Sequence, residues 1–185
     1  AGKDPYEFRR PMLAARPRDL GVLDAVAKAS GWGRPLPAGV HRGIAVQDSH
    51  GSYAAAVFEV SVSGKGELRI RRVVVALDQG YVVNPDSSVA QIESCVVYAL
   101  TAALYGEITI RNGRVEQSNF HDYPMMRIRD MPKVEAVLVP SGGFWGGTGE
   151  TPLAPLAPAL VNAIFAATGK RIRSLPLKNH GITFV

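Results

Sequence analysis

A single glutamate closes a run of five glycines within nine residues. The stretch from Ser141 to Pro155 places Gly142, Gly143, Gly146, Gly147 and Gly149 ahead of Glu150. Glycine lets a backbone take positive φ and approach a ligand closely. A helical pattern follows, from Leu156 to Thr168, and a helix N-terminus carries partial positive charge that favours an ionised carboxylate. Two roles fit Glu150. It is either a base held in place to accept a proton, or a cap that satisfies orphan backbone N–H groups. The glycines weigh toward the first role, because a cap has no need of Gly146, Gly147 and Gly149 around it.

Gln91 is the second candidate. It falls in the first turns of a long predicted helix, displaced from the apolar face. Its amide both gives and accepts hydrogen bonds, which suits an amide or pterin-like edge; a solvated helix residue is the blander alternative. Of the four histidines, His50 and His121 fall in loops and His41 and His180 near element ends, and no pair has metal-ligand spacing on a helix. Ser49 to Ser52 reads either as a backbone nest for an anion or as a strand bulge. The lone cysteine, Cys95, sits among apolar helix positions and reads as core rather than as a nucleophile paired with His121. One cysteine excludes an internal disulfide and any Cys-ligated zinc or iron–sulfur site made by this chain alone. Neither a phosphate-binding loop nor a dinucleotide fingerprint is present.

The elements that must carry these groups are legible in the pattern. Asp4 caps a first helix with Pro5 at its first position, and Pro11 ends or kinks it. A second helix fits Pro17 to Ser30, stopped by Gly31. A Gly/Pro-rich connector, Trp32 to Val40, divides a helical segment (1–40) from an α+β body (41–185). In the body the period becomes two. Strands are expected at 43–47, 53–63 and 67–78, the last two joined by a turn at Gly64 to Gly66. A helix runs from Pro85 to about Tyr105, strands at 107–111 and 114–117 form a hairpin that turns at Asn112-Gly113, a strand spans 134–139, and Ile172 to Leu175 is a last short strand. The fold class is α+β, a mixed sheet with packed helices.

Bulk composition agrees with a folded chain of one or two small lobes. The 185 residues are 46% apolar with a formal net charge of +5. The basic groups around Arg69 to Arg72, Arg127 to Arg129 and Lys170 to Arg173 alternate with apolar residues, as on the wet face of a strand, so no nucleic-acid partner is expected. No apolar run is read as a membrane span. The first residue is not Met, and the opening residues read like the middle of something longer.

Several segments in order resemble one family, the molybdenum hydroxylases of the xanthine dehydrogenase and aldehyde oxidoreductase type. Gly147-Thr148-Gly149-Glu150 resembles their glycine-x-glycine-glutamate signature. Ala76 to Gly80, Asn84-Pro85 and Gln91 resemble their aspartate-x-glycine, asparagine-proline and glutamine segment, with Gln79 where many relatives have cysteine. The run from Pro158 to Pro176, the opening Ala1 to Arg10 and Arg42 to Val46 are most similar to the β subunit of isoquinoline 1-oxidoreductase-type enzymes. The resemblance implies the C-terminal part of a molybdopterin-binding subunit. Glu150 would be the base that takes a proton as water-derived oxygen attacks an electrophilic carbon of an aldehyde or N-heterocycle. Gln91, Gly147, Thr148 and Gly149 would bind the cofactor, with no metal ligand from this chain. It further implies molybdopterin cytosine dinucleotide, iron–sulfur clusters on a partner chain, and partnership with the rest of the molybdenum subunit. Alone, the chain would be inactive. A non-catalytic scaffold with the same fold is the alternative, and the sequence leaves the compartment open, bacterial cytoplasm or periplasm.

Overall fold

Strand alternation dictates the layering. In residues 54–58 of β2 (Ser52–Val62) and 73–77 of β3 (Glu67–Asp78) both sets of alternate residues are apolar, so both faces of the sheet must be covered there. The computed structural model, which describes residues 2–185, shows how. Ala54, Ala56, Phe58 and Val60 face one core together with Val73, Val75 and Leu77; Ala55, Val57, Val74 and Ala76 face a second core on the other side.

The sheet is mixed. β1 (His41–Ser49), β2 and β3 form an antiparallel meander, and β3 then pairs in parallel with β6 (Val134–Leu138). The parallel step requires a crossover, which contains α3 (Pro85–Leu104) and a minimal hairpin, β4 (Ile110–Arg111) with β5 (Arg114–Val115). One face is covered by α3 and α4 (Leu156–Thr168), through Ile92, Val96 and Leu100 of the former and Leu156, Leu160 and Ile164 of the latter. The other face is covered by α2 (Pro17–Ser30) through Val22, Leu23 and Val26. A short first helix, α1 (Pro5–Met12), carries Pro11 in its last turn.

Local chemistry explains the helix limits. Asp4 accepts from the N–H groups of Tyr6 and Glu7, Gly31 caps α2 in the left-handed conformation, and the Asn84 side chain accepts from the Ser87 N–H at 2.9 Å. Gly169, also left-handed, ends α4. By apolar length α3 and the stretch Thr151–Thr168 would both suffice to cross a membrane, contrary to the expectation from sequence. Each instead contributes an apolar stripe to the sheet core.

Two expectations need correction. Residues 172–175 form no strand. Ile172 is buried as a single anchor between exposed arginines, and Pro176 just beyond lacks the N–H a ladder needs. The last strand is β7 (Thr183–Phe184), parallel to the start of β3. The strands around Asn112-Gly113 are also only two residues long each, because their side chains face solvent and no core rewards longer pairing.

The meander is clamped to α4 at Gly43. A Cβ there would collide with the backbone of Ala159, Asn162 and Ala163, and the Asn162 side chain donates to the Ile44 carbonyl at 3.1 Å. Gly43→Val should therefore destabilise the fold by about 1–3 kcal/mol or more through forced backbone separation. Thermal or urea unfolding compared with the parent checks this, and the exposed Gly64→Ala serves as a near-neutral control, since nothing lies within 4 Å of its added Cβ.

Candidate functional site

The chemistry-bearing residues converge on one end of the sheet. β3 and β6 are parallel, so their C-terminal ends lie together. The loops leaving them, 78–84 and 139–150, meet the N-terminal part of α3 and the tip of the β1–β2 hairpin. In open sheets with parallel strands, ligands bind at such C-terminal ends.

Asp78, the last residue of β3, organises this end. It is buried, and Arg18 of α2 grips it through two hydrogen bonds, Nε to Oδ2 at 2.7 Å and Nη2 to Oδ1 at 2.9 Å. The same carboxylate accepts from the Gly80 N–H at 2.8 Å and from the Ser141 hydroxyl at 2.8 Å. Burial alone would raise its pKa, but Arg18, the Gly80 N–H and Ser141 outweigh burial and hold the group below the ordinary carboxylate value. Arg18 also stacks its guanidinium 4.3 Å from the centre of the Tyr53 ring.

From Ser141 the glycine-rich loop is pinned at successive points. The Gly146 N–H donates to the Gln79 carbonyl at 3.0 Å and the Gly147 N–H to the His50 carbonyl at 2.9 Å. The Cys95 thiol donates to the Gly149 carbonyl at 3.2 Å, and the Thr151 hydroxyl to the Ser49 carbonyl at 2.8 Å. Gly80 and Gly146 are required by close approach. Gly80 has φ 86°, and a Cβ there would lie 2.5 Å from the carbonyl oxygens of Gly143 and Phe144; a Cβ at Gly146 would strike Gly51 and Ser52.

Gly147 and Gly149 are different. Neither has positive φ. A Cβ on Gly147 would meet only His50, its Cβ at 3.4 Å, and one on Gly149 only Gln91 Oε1 at 3.9 Å. The fold does not demand glycine at either position, so their bare backbone leaves room for something outside the chain. Among the described residues, no hydrogen bond within the chain uses the N–H groups of Thr148, Gly149 or Glu150.

Glu150 precedes a single 3-10 turn, Thr151–Leu153, and its side chain makes no capping bond. A capping role therefore lacks the interaction that would define it. The expected influence of the following helix also needs correction. α4 starts only at Leu156, with Pro155 at its N-cap, and a helix dipole acts within about one turn. The titratable group beside the carboxylate is instead His50, with Nε2 at 3.4 Å from Oε2. Glu150 is well exposed, as are Gln91 and Gly147. Gln91 comes within reach of Gly149, and its amide makes no side-chain hydrogen bond among the described residues. Glu150, Gln91 and the 147–149 backbone thus share one open wall. Among the described residues no cluster of three His, Cys, Asp or Glu side chains could hold a metal ion. A surface cleft of about 670 Å³ lies away from this wall, between α1, β1 and α4.

Sequence reasoning missed the Arg18–Asp78–Ser141 network and the proximity of His50 to Glu150. Ser49 to Ser52 is neither nest nor bulge: His50 and Gly51 have φ 51° and 76° and form a two-residue hairpin turn. The His50-Gly51 pair between alternating strands was the available signal. Cys95 is core, as expected; burial pushes its thiol pKa up, and His121 pairs instead with Asp122. Around the wall, Tyr81, Val83, Phe144 and Trp145 are exposed, with Tyr81 and Trp145 edge-to-face at 6.5 Å.

Known proteins share both the sequence and the fold. A family model described as "Molybdopterin cofactor-binding domain" matches residues 28–132, more than half of the chain. The chain is 34% identical over 179 residues to the β subunit of isoquinoline 1-oxidoreductase of Brevundimonas diminuta, covering 95% of this chain and 23% of that protein. It is 30% identical over 196 residues to a nicotinate dehydrogenase subunit of Pseudomonas putida, covering 96% of this chain and 16% of that protein. The solved quinoline 2-oxidoreductase of Pseudomonas putida 86 shares the fold with a TM-score of 0.61 and 20% identity, over 68% of this chain and 17% of that one. The chain therefore spans a quarter or less of the length of these proteins.

Removing the Asp78 carboxylate tests the organisation of this end. Asp78→Ala leaves Arg18 without its partner and should cost about 3 kcal/mol in urea unfolding. Because the folded-state pKa is depressed, Asp78 stabilises the fold above its ordinary value of 3.8, and that contribution is lost as pH falls below it. Stability measured from pH 7 down to pH 3 should fall less steeply in Asp78→Asn than in the parent.

Proposed function

Because the chain belongs to the molybdopterin cofactor-binding domain family, we propose that it forms part of the molybdenum-binding subunit of an oxidoreductase that hydroxylates an aldehyde or N-heterocycle with oxygen from water. Glu150 is the base in this reaction. The main support is the shared wall on which an uncapped, exposed carboxylate, the free amide of Gln91 and the bare backbone of Gly147 and Gly149 stand together.

The residues present fit a pterin cofactor. Gln91 supplies an amide that both gives and takes hydrogen bonds, and Thr148 and Gly149 supply backbone donors that the chain itself leaves unused. The missing side chains at Gly147 and Gly149 admit a bulky group against the loop. When bound, the molybdenum cofactor supplies the centre at which oxygen is transferred and electrons are accepted. This chain's part is to hold the loop rigid through Asp78, Ser141 and Cys95, orient the cofactor edge through Gln91, and take a proton on a Glu150 oxygen. The resemblance of Gly147 to Glu150 and of Pro158 to Pro176 to the family leads us to propose the cytosine dinucleotide form of the cofactor. Electrons would leave through iron–sulfur clusters, which the one cysteine of this chain cannot ligate and which we place on a partner chain.

The exposed aromatic residues at 81, 144 and 145 fit a surface completed by the rest of the molybdenum subunit. On this view the chain by itself is inactive.

In the assembled enzyme, Glu150→Gln should lower turnover by about 10²–10⁴-fold, the usual worth of a general base, with molybdenum content unchanged by elemental analysis. Near-normal turnover would refute the assignment of the base. Gln91→Ala should instead reduce the molybdenum retained after purification, measured in the same way. An assembled protein that binds no molybdenum would point to a scaffold with the same fold.

A further inference from the structure

His50 has no part in the proton transfer assigned to Glu150, yet it is the one side chain at ion-pair distance from the Glu150 carboxylate among the described residues, Nε2 to Oε2 at 3.4 Å. Its backbone is set by a tight turn. His50 and Gly51 form the two-residue turn of the β1–β2 hairpin, both with positive φ. Such turns favour Asn, Asp and Gly, and a non-glycine residue in this region is uncommon. Nothing in the turn itself calls for an imidazole.

The tip is tied to the loop on both sides of Glu150. The Gly147 N–H donates to the His50 carbonyl at 2.9 Å, and the Thr151 hydroxyl donates to the Ser49 carbonyl at 2.8 Å. Gly147 lies under the His50 side chain, where an added Cβ would sit 3.4 Å from His50 Cβ. The hairpin therefore fixes the backbone from which the imidazole reaches the Glu150 carboxylate, although both side chains are largely exposed, 61% and 77%. The remaining titratable groups at this corner have other partners. Arg18 and Asp78 bind each other, Tyr53 lies under Arg18, and the Cys95 thiol bonds to the Gly149 carbonyl.

We propose that His50 is a positioning residue for Glu150. Its Nε2–H engages one carboxylate oxygen and leaves the other directed to accept a proton. An exposed glutamate otherwise samples several rotamers, and a base must sit within hydrogen-bond reach of the proton it takes. As an exposed pair the interaction adds little to stability; its effect is on orientation. A separation of 3.4 Å is long for a hydrogen bond, and catalytic bonds of this kind tighten when the reacting complex forms. The inference rests on Glu150 being the base.

The experiment uses the assembled molybdenum enzyme. His50→Asn keeps a residue suited to the turn but is too short to reach Glu150, whereas His50→Gln keeps a donor at similar reach. His50→Asn should lower kcat about tenfold, as misoriented catalytic groups do, with KM, molybdenum content and Tm unchanged, and His50→Gln should recover most of the loss. Crystal structures supply an independent readout. The Glu150 carboxylate should lie beside Nε2 in the parent and spread over several rotamers in His50→Asn. If Glu150→Gln abolishes turnover while His50→Asn stays within about twofold of the parent, or if the carboxylate keeps one position in both structures, His50 is not a positioning residue. If Glu150→Gln itself retains turnover, the base assignment fails and the role of His50 fails with it.

Discussion

The ion pair between Arg18 and Asp78 is the interaction on which the rest of this end of the molecule depends. It joins α2, on one face of the sheet, to the last residue of β3, and the same carboxylate then captures Gly80 and Ser141. A buried carboxylate tolerates its position only when its lone pairs are satisfied, and here they are filled by a guanidinium, a backbone N–H and a hydroxyl. The loop that leaves β3 and the loop that leaves β6 are thereby tied to one atom group. Everything further along the second loop inherits its position from that tie.

Close backbone approach continues what Asp78 begins. Gly80 allows the carbonyls of Gly143 and Phe144 to pass where a side chain would stand, and Gly146 does the same for the hairpin tip. These two glycines serve the fold. Gly147 and Gly149, with ordinary φ and space beside them, do not. The glycine run is therefore a composite. Part of it packs the loop against the strands, and part of it leaves bare backbone facing outward next to Gln91 and Glu150.

The wall so formed is open. Its carboxylate is exposed, and aromatic side chains stand beside it in solvent. Relatives of this chain are several times longer than it is.

Much of this is legible in the residues. The limits of α2 and α4 follow from Gly31 and Gly169, that of α3 from Asn84-Pro85, and the two-faced strands from the continuous apolar runs 54–58 and 73–77. These are local signals, set by φ preferences and side-chain period within a few residues. The glycine run and Glu150 also mark the candidate site, and the helical period places Gln91 off the apolar face, where the structure has it exposed. What only the tertiary structure decided is which distant residues meet: Arg18 with Asp78, His50 with Glu150, Cys95 with Gly149, and Gln91 with the same loop. Each pair joins segments at least tens of residues apart. Arg18 meets Asp78 because α2 packs across β2 and β3, and the loop contacts follow from the parallel β3–β6 pairing and its crossover, long-range geometry that no local period encodes. The same geometry moved the Glu150 carboxylate away from the helix dipole expected for it and set it beside an imidazole instead.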